Sequence, residues 1–154
     1  MPEEPKTPVD DTSADNGVEN PLHKKLGLRP HTKGVVIAPP EGDDDPLRPL
    51  PEGFASLASL DELASSAGPF DYIHVFARDR TALAAAFTQL RDKLAPSGSL
   101  WISWMKQSSR GAALQGDLNE NVVRRLAVTH ALVDVKVASL DRDWSALKLV
   151  HRKH

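Results

Sequence analysis

The chain contains no cysteine. That excludes disulfides, thiolate metal sites and thiol nucleophiles together. Aromatic residues are scarce, with three Trp, one Tyr and four Phe. A core takes most of such a set, which leaves too few for a base-stacking platform. No apolar run approaches the roughly 18–20 residues of a membrane span. The opening MPEEPKTP is acidic and polar, where a secretory signal would be basic and then apolar. Proline is nearly absent from the later chain, since ten of twelve lie in residues 1–51 and only Pro69 and Pro96 follow. Proline removes an amide donor and interrupts helices and ladders, so regular structure is expected to be sparse before residue 51 and dense after it. Neither charge dominates. Nineteen Lys and Arg against 21 Asp and Glu give a net charge of −2, which argues against a polybasic nucleic-acid binder.

What is present divides unevenly. Residues 1–20 hold six acids (Glu3, Glu4, Asp10, Asp11, Asp15, Glu19) and Lys6, a net of −5. With two isolated valines they cannot bury enough apolar surface to offset the entropy of ordering. A disordered acidic tail is expected over 1–20, with an interaction tail as the alternative, and a single folded domain over 21–154, cytoplasmic in location. A second acidic run, Glu41-Gly42-Asp43-Asp44-Asp45, reads as a solvated loop and carries −4. The remainder is mildly basic.

Val35-Val36-Ile37-Ala38 is a continuous apolar run stopped by Pro39-Pro40, as suits a strand buried on both faces. A weaker strand is expected over 54–58. Ser59 to Glu62 has capping-box spacing for a short helix closed by Gly68-Pro69. The stretch Asp71 to Ala77 is a strong β run. Leu83, Phe87, Leu90 and Leu94 share one face of a helix over 81–95 that Pro96 and Gly98 end. A strand over 100–105 and a polar loop over 106–116 follow. Asp117 and Glu120 then open a helix with Val122, Val123, Leu126 and His130 inward. Val133 to Val137 alternates, and Trp144 to Arg152 returns as a hairpin with Leu147 and Leu149 opposite Val135 and Val137. The wet antiparallel edge could pair with a second chain, or Lys136 and Lys148 could mark it as a protected edge. The order β-β-α-β-α-β-α-β-β predicts an α/β domain, Rossmann-like, with a mostly parallel sheet and an antiparallel C-terminal hairpin.

That succession, with Leu94-Ala95-Pro96-Ser97-Gly98-Ser99-Leu100 resembling an L-x-P-G-G-x-L turn, resembles the S-adenosylmethionine-dependent methyltransferase fold. From Pro21 onward the chain also resembles a family of small bacterial proteins with no assigned activity. The matching pieces are PLHKKLGL (21–28), LPEGF (50–54), LWISWMKQSS (100–109), DLNENVVR (117–124), LVDVKV (132–137) and WSALK (144–148). That family supplies no site residues. Against the methyltransferase pattern, the first strand ends in Ala38-Pro39-Pro40-Glu41-Gly42 and lacks the glycine-rich turn that brings backbone amides to the cofactor. Asp43 to Asp45 would repel a phosphate. The cofactor loop therefore reads as degenerate, and no cofactor is expected. In the alternative reading, a divergent methyltransferase, Gly42 and Asp61 are the cofactor-binding candidates, because an acid about 20 residues beyond such a turn can hold ribose hydroxyls. Glu62 reads instead as half of a helix cap.

Ligands of doubly wound sheets bind at the carboxyl ends of the strands. The candidate rim is Arg78, Trp104, Lys106, Ser108, Ser109 and Arg110, an aromatic face with cations and hydroxyls suited to an anionic or flat polar ligand. No G-x-S-x-G surrounds Ser108 or Ser109. The six histidines are scattered, so no metal site is expected, and His74 and His130 read as hydrogen-bonded, partly buried groups. Residues 106–154 carry nine bases and five acids, including Arg124-Arg125 and Arg152-Lys153. Helix and strand geometry scatters them, so nucleic acid is an unlikely partner and a nucleic-acid-associated regulator is the third reading. The reading of function at this level is a non-catalytic ligand-binding or protein-interaction domain with a small-molecule or protein partner.

Overall fold

A computed structural model describes residues 20–106 and 118–152. The acidic tail as far as Glu19, and Ser108, Ser109, Arg110 and Asp117, lie outside the described residues. The sequence-predicted strands all form: β1 (Gly34–Ile37), β2 (Phe54–Leu57), β3 (Phe70–Phe76), β4 (Leu94–Met105), β5 (Leu132–Ser139) and β6 (Trp144–His151). Helices α2 (Arg80–Lys93) and α3 (Glu120–Thr129) lie between them as expected. The six strands form one sheet in the order β2-β1-β3-β4-β6-β5. The first four are mutually parallel, and β6 runs antiparallel to both β4 and β5. The fold is therefore a mixed α/β, mostly parallel sheet with an antiparallel C-terminal hairpin.

Three departures have physical causes. An unexpected helix, α1 (Pro21–Leu26), precedes the sheet. Asn20 caps it by accepting from the amides of Leu22 and His23, Pro21 occupies the first turn where no donor is needed, and Gly27 leaves it at φ 81°. The segment expected as a short helix after β2 is a 3₁₀ turn over Leu60–Ser65, in which Ser59 makes no side-chain cap. The chain is already extended at Leu94, ahead of Pro96. Pairing jumps from Phe70↔Leu94 to Tyr72↔Ser99, so three extra residues bulge out of β4 (five steps against two). That bulge accommodates Pro96. A Cβ on Gly98 would sit 3.1 Å from the carbonyl oxygens of Ala95 and Asp71 and 2.8 Å from the Leu94 side chain, which explains the glycine there.

The sheet has a core on each face. On one, Val35, Ile37, Ile73, Val75, Leu100, Ile102, Leu147 and Leu149 pack against Leu83, Phe87 and Leu90 of α2 and Val123 and Ala127 of α3. On the other, Val36, Tyr72, Phe76, Trp101 and Ala146 are covered by Leu26, Leu28, Leu47, Leu140 and Trp144. Among the described residues this second layer contains the short α1 and irregular segments. The hairpin alternation also differs from expectation. Leu147 opposes Val137, but Leu149 opposes Asp134, and a register shift lies at Val135. Val135 and Val137 are consequently half exposed, at 54% and 49%. The edge strand is β5, whereas β6, which carries Lys148, is interior.

Helix α2 depends on a single cap. The Asp79 carboxylate accepts from the amides of Thr81 (3.3 Å) and Ala82 (2.9 Å). Asp79→Ala should cost about 1 kcal/mol, read as a lower urea midpoint at unchanged slope. An unchanged midpoint would contradict the assignment.

Candidate functional site

The chain passes from β1 to β2 on one side and then crosses to β3 on the other. The carboxyl ends of β1 and β3 therefore border the point where the strand order reverses, which is where open α/β sheets accept ligands. Beyond Ile37 the backbone turns at Ala38, which has φ 57°, a left-handed conformation disfavoured for a residue with a Cβ. Its amide donates to Leu57 O at 2.8 Å, tying the end of β1 to that of β2. Pro39 and Pro40 follow and offer no amide. Gly42, also at φ 57°, opens a three-residue 3₁₀ turn, Gly42–Asp44, and no heavy atom lies within 4 Å of where its Cβ would be. Of the acids in this loop, Asp45 is buried and accepts from the Leu47 amide at 2.9 Å. Its burial raises its pKa above the ordinary value, and that hydrogen bond and Arg48 act in the opposite direction. Asp45 is thus a turn-forming group, while Asp43 and Asp44 face solvent.

Arg78 dominates the rim. One guanidinium nitrogen, Nη1, donates to Ala38 O at 2.6 Å and to Phe76 O at 3.0 Å, bridging the ends of β1 and β3. The guanidinium also lies 5.5 Å from the centroid of the Trp144 ring, and Trp144 meets Phe76 edge to face at 5.1 Å. Partial burial lowers the Arg78 pKa from its ordinary value. Both hydrogen bonds described for Arg78 use Nη1, so Nε and Nη2 have no hydrogen-bond partner among the described residues.

The other sequence-predicted candidates are dispersed. Trp104 is 6% exposed and belongs to the core beneath α2 and α3. Lys106 turns its ammonium to Ser139 Oγ and Asp141 O, each at 2.7 Å, and so fastens the β5–β6 turn. Asp61 is exposed in the 3₁₀ turn after β2. Glu62 Oε1 accepts from the Ala58 amide at 3.4 Å, one residue before Ser59, so the reciprocal capping box expected over Ser59 to Glu62 does not form. Arg124 of the basic pair is committed to Glu120 and to Asp134 (3.0 Å). Among the described residues no group of three or more His, Asp and Glu is placed to hold a metal ion, and no helix is long and apolar enough to cross a membrane.

His74 is hydrogen-bonded as expected, but sequence reasoning missed that it is fully buried and joined to Tyr72 and Ser103 in a polar chain. Tyr72 Oη lies 3.1 Å from His74 Nδ1, and His74 Nε2 lies 2.5 Å from Ser103 Oγ. His74 is 0% exposed and stacks between Phe76 and Trp101. Burial lowers its pKa to about 3 and pushes the Tyr72 phenol well up. A serine beside a histidine suggests a nucleophile and its base, but Ser103 is also 0% exposed, so no substrate reaches it. The chain satisfies polar atoms inside the second core. Strand alternation, which puts Tyr72, His74 and Phe76 on one side, was the signal available.

The fold finds counterparts among solved structures. The chain has a methyltransferase-like Rossmann fold. An N-methyltransferase from Bradyrhizobium japonicum matches with a TM-score of 0.56 at 20% identity, over 88% of this chain and 99% of that one. A 1,6-didemethyltoxoflavin N1-methyltransferase from Burkholderia thailandensis, with bound S-adenosylhomocysteine, matches with a TM-score of 0.58 at 17% identity, over 86% and 75%. A magnesium protoporphyrin IX methyltransferase from Synechocystis, with bound S-adenosylmethionine, matches with a TM-score of 0.54 at 10% identity, over 84% and 74%. At these identities the methyltransferase-like likeness is one of fold. No family model and no curated protein matches the chain, so its resemblance to small bacterial proteins rests on the sequence pieces alone.

Proposed function

We propose that this chain is a divergent S-adenosylmethionine-binding domain of the methyltransferase fold, with its ligand site at the rim between β1 and β3. The observation that carries the reading is Arg78, a cation at the strand-order reversal with two nitrogens directed to no described partner. Chemically the rim suits the two polar ends of such a ligand. The Arg78 fork matches an amino-acid carboxylate. Asp61, exposed beyond β2, matches ribose hydroxyls, and the open space at Gly42 admits a close approach. The middle of the rim does not follow the usual arrangement, since Pro39 and Pro40 contribute no amide and Ala38 O is already taken by Arg78. Binding would therefore rest on side chains more than on backbone donors. When bound, S-adenosylmethionine supplies an activated methyl group; the chain's own contribution is to hold and orient the ligand's polar ends.

A thermal-shift panel of S-adenosylmethionine, S-adenosylhomocysteine and common nucleotides tests this. Ligand at about 100 times its Kd stabilises by about 2.7 kcal/mol, which raises the melting temperature by several degrees. The two adenosyl ligands should shift it and the nucleotides should not. Arg78→Ala should reduce the response about tenfold in affinity, and Asp61→Ala should reduce it in the same direction. No shift from either adenosyl ligand would defeat the proposal. The second reading, a non-catalytic interaction module, would then stand on the feature that favours it, the proline pair and the Arg78 bridge across the rim.

A further inference from the structure

The face of the sheet covered by α1 carries an unbalanced cluster of cations. Across it, one row of paired residues runs Lys136, Lys148, Trp101, His74 and Val36. Lys136 and Lys148 are directly opposite each other on neighbouring strands, an unfavourable placement for like charges. Lys25, in the last turn of α1, joins them. Its ammonium donates to Ser139 O at 3.1 Å, and Lys136 Nζ donates to Lys25 O at 3.0 Å. Among the described residues none of Lys25, Lys136 and Lys148 forms an ion pair. Three lysines thus share one face of the sheet, and among the described residues no ion pair offsets their charge.

The same chain holds that counter-charge immediately before α1. Residues 1–19 contain six acids and one lysine, a net of −5, and join the body at Asn20, the cap of the helix that lies on this face. Six helical residues span about 9 Å. Five extended residues reach about 17 Å. Asp15 and every acid before it can therefore return along α1 to the cluster. We propose that the acidic N-terminal segment docks in cis on the Lys25–Lys136–Lys148 face. The contact relieves the like-charge pair. It also gives the segment a specific role at one place in the fold, which its composition alone does not indicate.

Zero-length carbodiimide coupling of the full chain, mapped by mass spectrometry, tests the contact. Asp10, Asp11 and Asp15 should couple to Lys136, Lys148 and Lys25 in preference to Lys33 and Lys93, which serve as reference lysines. The preference should vanish at about 1 M salt, where the screening length is about 3 Å. It should also fall in the full-chain variant K136Q/K148Q, whose substitutions replace side chains outside the core. A mixture of isotopically light and heavy chains separates cis from trans coupling. Coupling only between chains would overturn the proposal in favour of a second copy. Coupling spread evenly over all lysines, or none, would overturn it as well.

Discussion

Acidification from pH 6.5 to about pH 4 is expected to remove about 3 kcal/mol of folding stability through His74 alone. In the folded chain burial lowers the His74 pKa from 6.5 to about 3. The unfolded chain therefore takes up the proton first. The contribution of neutral His74 is complete above the unfolded pKa, declines as the pH falls from 6.5 toward 3, and changes no further below that. Each unit in this window is worth about 1.4 kcal/mol per proton. Other groups titrate over the same range, so the measurement is a difference. Urea unfolding of the wild type and of His74→Gln at several pH values should give curves that converge on acidification. Glutamine keeps a donor and an acceptor for Ser103 and Tyr72 and has no titrating proton. Parallel curves would show that His74 ionises freely in the folded state and would contradict its burial.

Trp101→Ala is expected to cost about 3–5 kcal/mol, the range for deleting a large buried aromatic. Trp101 is 0% exposed and stacks on His74. Its Nε1 donates to Leu26 O at 3.1 Å, which attaches the C-terminal end of α1 to the sheet. Trp101→Phe keeps the apolar contact and loses the hydrogen bond, so its cost should be about 1–2 kcal/mol. The two substitutions separate packing from anchoring. Amide exchange over residues 21–28 should accelerate in both variants, since among the described residues no long helix covers this face to hold the segment. A Trp101→Ala protein within 1 kcal/mol of wild type, or unchanged exchange at 21–28, would contradict the role assigned to α1.

Much of the fold is legible in the sequence. The apolar run Val35 to Ile37 and the aromatic and β-branched run Asp71 to Ala77 mark buried strands, and the spacing of Leu83, Phe87 and Leu90 sets the buried face of α2. The helix α1 was legible too, in Asn20, Pro21 and Gly27. It is missed when proline counts only as a breaker, because at the first helical position proline costs nothing. The register shift at Val135 was not legible. Clean alternation places Val133, Val135 and Val137 inward, but on the edge strand only Val133 is partly buried, while Val135 and Val137 stand half exposed. The candidate rim was legible only at Arg78. Its contacts with Ala38 and Trp144 join residues 40 and 66 positions away, and no local spacing encodes them. Trp104 illustrates the converse, since a strand-end aromatic reads equally as a rim residue or as core until the layer above it is known.

The central claim is that an adenosyl ligand binds where β1 and β3 end. The most direct measurement is an amide and indole NMR titration of the full chain with S-adenosylhomocysteine. Saturable shifts are expected, confined to Ala38, Glu41 to Asp44, Asp61, Arg78 and the Trp144 indole. No shifts at millimolar ligand, or shifts confined to residues away from this rim, would contradict it.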